Sequence, residues 1–133
     1  MRGPVVTVDV SKGSCHYQPF LEKGAPFRKP KVLHDTIEGF ADLETIIQKV
    51  KEKSGNDTVP VVFEATGAYH RCLQKYLEDH GMPYYIISPL LAAAYRKTSL
   101  HSNNTDDLDC AHIAKAYYNE DDLLPFQKQT DLF

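Results

Sequence analysis

Short apolar runs separated by turn residues fill the first third of the chain. Residues 4–10 form an apolar run rich in β-branched side chains, which predicts a buried strand. A turn at 11–14 separates it from a second predicted strand over 15–21, and a break at 24–26 precedes a third over 27–33. Short turns between successive strands are typical of an antiparallel meander.

Helical and strand patterns alternate along the rest of the chain. A helix is predicted from Asp35, which resembles a capping box with Glu38, to a break at 54–57. The later predicted elements are a strand over 59–63, a helix that ends before Gly81, a strand over 83–87, a short helix over 90–97, a loop over 99–104 and a helix from 104 or 105 to 118. Strands that alternate with helices are usually parallel. The sequence therefore predicts an α/β fold with a mixed five-stranded sheet flanked by helices.

Length, composition and charge fit one soluble domain of 133 residues. We expect a cytoplasmic protein, because no run approaches the ~18 apolar residues of a membrane span and no signal-peptide pattern precedes the first strand. Cys15, Cys72 and Cys110 are odd in number and widely spaced, which favours plain buried thiols over disulfides or zinc ligands. The net charge of −3 argues against a protein that simply coats nucleic acid, but not against carboxylates neutralised by bound cations.

Four acidic residues occupy positions where acids suggest chemistry. Asp9 lies inside an apolar strand, where a carboxylate is costly unless it is paired or binds metal. Glu64 closes another strand, at the edge where α/β sheets bind ligands. Asp106 and Asp109 share one helix face, which also carries Cys110, Ile113 and Tyr117 and so points inward.

Each of these acids also has a purely structural interpretation. Asp9 can cap a turn, Glu64 can cap the next helix, and acids in a first helical turn are favoured by the helix dipole. The four acids together indicate a metal site more strongly than any one of them does. Two strand acids and two helix acids can hold two divalent cations about 4 Å apart, which clamp the attacking and leaving oxygens of a phosphodiester.

Three motifs carry a resemblance to a known family. They are Val-Asp-Val-Ser-Lys at 8–12, Phe-Glu-Ala-Thr-Gly-Ala-Tyr at 63–69 and Asn-Thr-Asp-Asp-Leu-Asp-Cys-Ala-His-Ile-Ala at 104–114. In order and separation, over residues 4–118, the chain resembles the N-terminal domain of the DEDD insertion-sequence transposases. That group includes the pilin-gene inverting recombinase and is related to the RuvC Holliday-junction resolvase.

The resemblance implies a fold, a site and partners. The fold is RNase H-like (RuvC-like), and Asp9, Glu64, Asp106 and Asp109 match the D, E, D and D that bind Mg²⁺ or Mn²⁺. The implied activity is metal-dependent cleavage and joining of DNA strands during transposition. The implied partners are DNA, a structured guide RNA made by the element, and further copies of the full-length protein, with no membrane involved.

The chain also departs from the family pattern. Asn104 replaces the usual Lys, which removes a positive charge beside the site, and Cys110 replaces the usual Ala. We expect residues 1–119 to form the catalytic domain and 120–133 to extend toward a second domain. Family members carry there a serine proposed to act in strand exchange, so the chain alone is expected to be an incomplete enzyme.

Other functions fit the residues less well. A proofreading-type exonuclease would need an acid where the chain has Ser11, and a sugar kinase or actin-like ATPase would need more glycine in residues 11–14. The main alternative is a non-catalytic module that binds nucleic acid or a partner. Two clusters could contact phosphate, although each also fits an ordinary solvated face: Arg28, Lys29 and Lys31, and Tyr95, Arg96, Lys97 and His101.

Overall fold

A computed structural model describes residues 2–11, 14–65, 70–97, 106–120 and 122–123, and at 11, 14 and 106–109 it describes the backbone alone. The elements in these ranges are β1 (Val5–Ser11), β2 (Ser14–Glu22), β3 (Ala25–Pro26), β4 (Lys31–Val32), α1 (Ile37–Ser54), β5 (Val61–Glu64), α2 (Arg71–Asp79), β6 (Tyr84–Ile87), α3 (Pro89–Lys97) and α4 (Asp106–Asn119). None of the helices described is long and apolar enough to cross a membrane. The predicted loop over 99–104 lies outside the described residues.

The strands form one mixed sheet in the order β3-β2-β1-β5-β6, with β4 also paired to β2. β1 is antiparallel to β2 and parallel to β5, and β5 is parallel to β6. The predicted mixed α/β sheet is confirmed, but the described sheet has six strands and not five. In place of the third predicted strand, β3 and β4 each pair briefly with β2. Pro30 lies between β3 and β4 and favours the interruption, because proline has no N–H for a ladder hydrogen bond.

Helix α1 begins one residue later than the capping-box prediction placed it. Thr36 and not Asp35 is the N-cap, and its hydroxyl accepts the N–H of Gly39 at 3.0 Å. The helix ends where Gly55 takes a left-handed φ of 74°. The three cysteines form no disulfide with one another, and of the predicted buried thiols only Cys110 is buried. Cys15 is partly buried, and Cys72 is exposed because α2 turns its Leu73 and Leu77 side toward the sheet.

Two hydrophobic layers cover the two faces of the sheet. Val6 and Val8 of β1 pack with buried residues of α1 and α2. Val5 packs on the opposite face with residues of α3 and α4. Because side chains alternate along a strand, Thr7 and Asp9 lie on the face of Val5. Asp9 is thus directed toward the layer that contains α4.

Candidate active site

Asp9 and Glu64 lie on neighbouring parallel strands, at the carboxyl ends of both. β1 and β5 pair with Val8 opposite Phe63, so the two acids lie one step further along the same ladder. Asp9 is 4% exposed and Glu64 is 7% exposed. Glu64 shares its strand face with Val62, which packs in the layer of α3 and α4. The structure therefore brings these two predicted site residues to the same edge and the same face of the sheet.

Arg96, near the end of α3, forms an ion pair with Glu64. Its Nη2 atom lies 2.5 Å from Oε1 of the carboxylate, and the side chains are 38% and 10% exposed, respectively. The sequence pattern had grouped Arg96 with Tyr95 in a phosphate-binding cluster. In the structure the two side chains have different partners, because the Tyr95 hydroxyl donates to Oε2 of Glu120 at 2.6 Å. His101, the last member of that cluster, lies outside the described residues.

Helix α4 is attached to β1 beside the acids. The Thr7 hydroxyl donates to the backbone carbonyl of Cys110 at 3.1 Å. The Cys110 Sγ atom lies 3.7 Å from the carbonyl oxygen of His16, the residue opposite Asp9 in the β1–β2 ladder. At the other end of α4, the Tyr118 hydroxyl donates to the carbonyl of Gly3 at 2.8 Å. Helix α4 consequently runs antiparallel to β1, with its N-terminal end toward the end of β1.

The first turn of α4 contains the two predicted helix acids, Asp106 and Asp109, whose side chains lie outside the description. The backbone is helical from Asp106 onward. From Cys110 back to Asp106 the helix extends by about 6 Å, while β1 extends by about 6–7 Å from Thr7 to Asp9. The backbone thus directs the first turn of α4 toward the strand acids. The positions of its carboxylates stay a prediction.

The described side chains alone do not form a complete metal site. Among them, no group of three or more His, Cys, Asp or Glu residues could hold a metal ion. Asp9 and Glu64 nevertheless fit a hard divalent cation, because carboxylate oxygens are the donors that Mg²⁺ and Mn²⁺ prefer. Their burial requires a compensating positive charge, which Arg96 supplies to Glu64. The donor chemistry thus fits a metal, with two of the four predicted ligands outside the described side chains.

Comparison with known proteins gives matches to one family and to one fold. Residues 6–133 match the DEDD transposase family of the IS110 type. RuvC of T. thermophilus in complex with a Holliday junction substrate has a TM-score of 0.54 at 12% identity, over 94% of this chain and 100% of that chain. A second structure of Thermus thermophilus RuvC has a TM-score of 0.51 at 14% identity, over 92% and 99%. No curated protein sequence matches. These structures confirm the predicted RNase H-like fold.

Proposed function

Because the chain belongs to the DEDD transposase family, we propose that residues 1–119 form the catalytic domain that cuts and joins DNA strands in transposition. One observation carries the proposal at the level of chemistry. Asp9 and Glu64 are buried side by side at the ends of parallel strands, on the face that α4 covers. Residues 120–133 form an extension outside the catalytic domain in this proposal.

Asp9, Glu64, Asp106 and Asp109 are the proposed ligands of Mg²⁺ or Mn²⁺. Cations bound there supply activation of the attacking hydroxyl and stabilisation of the leaving oxygen. The strand acids have fixed positions because the sheet holds their backbone on both sides. The helix acids are three residues apart and share one helix face. Burial of the strand acids lowers the local dielectric constant and strengthens each of these electrostatic contacts.

Arg96 is proposed to bind a DNA phosphate at this site. If Glu64 held a cation, the Arg96 guanidinium that now pairs with this carboxylate would be available to another anion. Its planar fork of donors suits phosphate oxygens. DNA as the partner agrees with the fold, since one similar structure is RuvC with a Holliday junction substrate. The structured guide RNA, the homo-oligomer and the cytoplasmic location stay part of the proposal and rest on the sequence alone.

The alternative function is a non-catalytic module of the same fold that binds nucleic acid or a partner. Such a module would have no use for buried acids at the strand ends and would bind divalent cations weakly. Metal binding in the absence of DNA therefore separates the two functions before any cleavage is measured.

Calorimetric titration with Mn²⁺ tests the proposal. We expect the wild-type chain to bind Mn²⁺ and the double variant Glu64→Gln, Asp109→Asn to lose that binding. The control is the double variant Glu52→Gln, Asp57→Asn, which removes as many carboxylates from exposed positions on and just after α1. Equal Mn²⁺ binding by both double variants would remove the proposed site.

A further inference from the structure

A groove of about 300 Å³ lies between the β2 edge and α1, on the sheet face opposite to the acids. Its floor includes Tyr17 and Ile46, which belong to the hydrophobic layer of α1. Its rim carries the charged residues Arg28, Lys29, Lys31, Asp42 and Lys49, all exposed, and we call it the basic groove. The proposed DNA cleavage makes no use of this surface.

The charge of the basic groove is opposite to that of the chain. Four cations and one carboxylate of the described residues border it, whereas the whole chain has a net charge of −3. In the part of the chain that the structure describes, none of these four cations is in an ion pair. Grouping like charges costs free energy unless a ligand of opposite charge compensates for it. An ordinary solvated face of this acidic protein would be mixed or acidic.

Local contacts hold the cations on the folded scaffold. The Arg28 guanidinium stacks on the ring of Phe27 at 4.8 Å from the centroid. The backbone carbonyl of Arg28 accepts a hydrogen bond from Gln18 Nε2 at 3.1 Å. Lys31 lies in β4, which pairs with β2, and Lys49 lies in α1. Segments remote in sequence thus present their positive charges to one groove.

We propose that the basic groove binds the sugar-phosphate backbone of a nucleic acid, at a surface separate from the acid site. Several exposed cations along one groove suit a chain of phosphates better than a single phosphate, which is usually enclosed by donors. Three of the four described cations that border the groove are lysines, whose ammonium groups bind phosphate as point charges. Phosphate contacts carry no base-sequence information, so we expect binding to depend little on base sequence. Duplex DNA and RNA share this phosphate chemistry, so the experiment measures both.

The test is fluorescence anisotropy of the full chain with labelled duplex DNA and, separately, labelled single-stranded RNA, at several salt concentrations without divalent metal. The double variant Lys31→Gln, Lys49→Gln should bind more weakly. Its slope of log K against log salt should be shallower by about 1.8 for duplex DNA or about 1.4 for single-stranded RNA, which is two lost contacts. A change for one nucleic acid alone identifies the class that the groove prefers, and a change for both shows that the groove binds the phosphates of either.

The matched control removes the same charge elsewhere. Lys23 and Lys53 are exposed and do not line the groove, so Lys23→Gln, Lys53→Gln should keep the wild-type slope. Asp42→Asn should strengthen binding, because it removes the only carboxylate among the described residues that line the groove, whereas Glu52→Gln should not. The proposal would be overturned if the two lysine double variants lost nucleic-acid affinity equally, or if neither lost any.

The failure of this proposal can be told apart from failure of the proposed transposase chemistry. Lys31→Gln, Lys49→Gln should leave Mn²⁺ binding unchanged, and it should reduce the metal-free salt slope by the same amount in the background of Glu64→Gln, Asp109→Asn as in the wild type. A groove variant that behaves as its control, beside intact Mn²⁺ binding, rejects the groove alone. Circular dichroism of each variant checks that the fold is retained.

Discussion

Arg96 and Glu64 join the end of α3 to the end of β5 through a contact of 2.5 Å between Nη2 and Oε1. The Glu64 side chain is 10% exposed and the Arg96 side chain is 38% exposed, so the ion pair lies at the boundary between core and solvent. A buried carboxylate is costly without a counter-charge. In the metal-free protein Arg96 supplies that charge, and a cation at the proposed site must compete with it.

Arg96→Gln should therefore have opposite effects on metal binding and on stability. Mn²⁺ affinity should rise by roughly three- to tenfold, since about 1.4 kcal/mol corresponds to tenfold. The free energy of unfolding without metal should fall by about 1 kcal/mol, less than for a fully buried pair because Arg96 is partly exposed. Calorimetry and thermal unfolding measure the two quantities. Lys97→Gln, which removes the neighbouring exposed charge, should change neither, and weaker Mn²⁺ binding by Arg96→Gln would show that Arg96 orients Glu64 for the metal.

Asp9→Asn should be neutral or stabilising in the metal-free protein. Asp9 is 4% exposed and lies beside Glu64, and clustered carboxylates repel each other when no cation is bound. Most buried substitutions destabilise, so this sign is diagnostic. Thermal unfolding with and without Mg²⁺ should show that added Mg²⁺ stabilises the wild type more than the variant. Clear destabilisation of the metal-free variant would instead make Asp9 a structural hydrogen-bond acceptor.

Thr7→Val should loosen the attachment of α4 to β1. It removes the 3.1 Å hydrogen bond from the Thr7 hydroxyl to the Cys110 carbonyl, in a buried position, and replaces it with a group of similar shape. We expect a loss of about 1 kcal/mol in the free energy of unfolding, together with weaker Mn²⁺ binding. The control is Thr45→Val, which removes an exposed hydroxyl bonded to the Ala41 carbonyl within α1. Weaker stability with unchanged Mn²⁺ affinity would mean that the site does not depend on this contact.

The local patterns that place the strand acids could be predicted from the sequence. Asp9 lies inside a run of apolar β-branched residues and Glu64 ends another, and such runs predict buried strands from local sequence alone. The spacing of Asp106 and Asp109 likewise predicted a helix, which the backbone of α4 confirms. The alternation of strands and helices predicted that the later strands are parallel, as β5 and β6 are, but it did not by itself assign β1 as the neighbour of β5.

Contacts remote in sequence could not be predicted in the same way. Arg96 and Glu64 are 32 residues apart, and Thr7 and Cys110 are 103 residues apart, so no periodic pattern links either pair. The replacement of one predicted strand by β3 and β4 depends on how the segment around Pro30 meets the β2 edge. The sequence predicted Arg28, Lys29 and Lys31 as a possible phosphate-binding cluster, but not the groove, because Lys49 belongs to a separate helix face until folding brings it into the same groove.

The alkaline limit of stability should depend on Tyr76. Burial, together with its 2.8 Å hydrogen bond to Glu44 and the charge of that carboxylate, raises the pKa of Tyr76 from 10.0 to about 12. The folded state therefore holds a proton that the unfolded state releases first. The resulting stability is complete below about pH 10 and is lost as the pH rises toward 12.

Tyr76→Phe should accordingly lose less stability than the wild type over that pH window. Denaturant unfolding at both ends of the window measures the difference. Glu44→Gln keeps a hydrogen-bond acceptor but removes the charge, so its loss should be intermediate. The same alkaline loss in the wild type and in Tyr76→Phe would assign the transition to other groups.

The chain alone should bind Mn²⁺ but cut plain duplex DNA weakly or not at all. Metal binding and DNA binding have different requirements. Metal binding needs only the carboxylates, whereas binding a duplex needs many phosphate contacts from Lys or Arg. The chain has 15 such residues against 18 acids, and the basic groove lies on the sheet face opposite to the acids. Phosphate contacts in the basic groove therefore do not position a scissile phosphate at Asp9 and Glu64.

Incubation of the full chain with labelled duplex and Mn²⁺ should therefore give little product above the background of Glu64→Gln, Asp109→Asn. Any product should disappear with modest salt, because few phosphate contacts hold the duplex at the acid site. Arg96→Gln should lower even this activity while it raises Mn²⁺ affinity, since it removes the cation proposed to meet the phosphate. Efficient cleavage that persists in salt would show that side chains outside the described residues supply the contacts missing from this count.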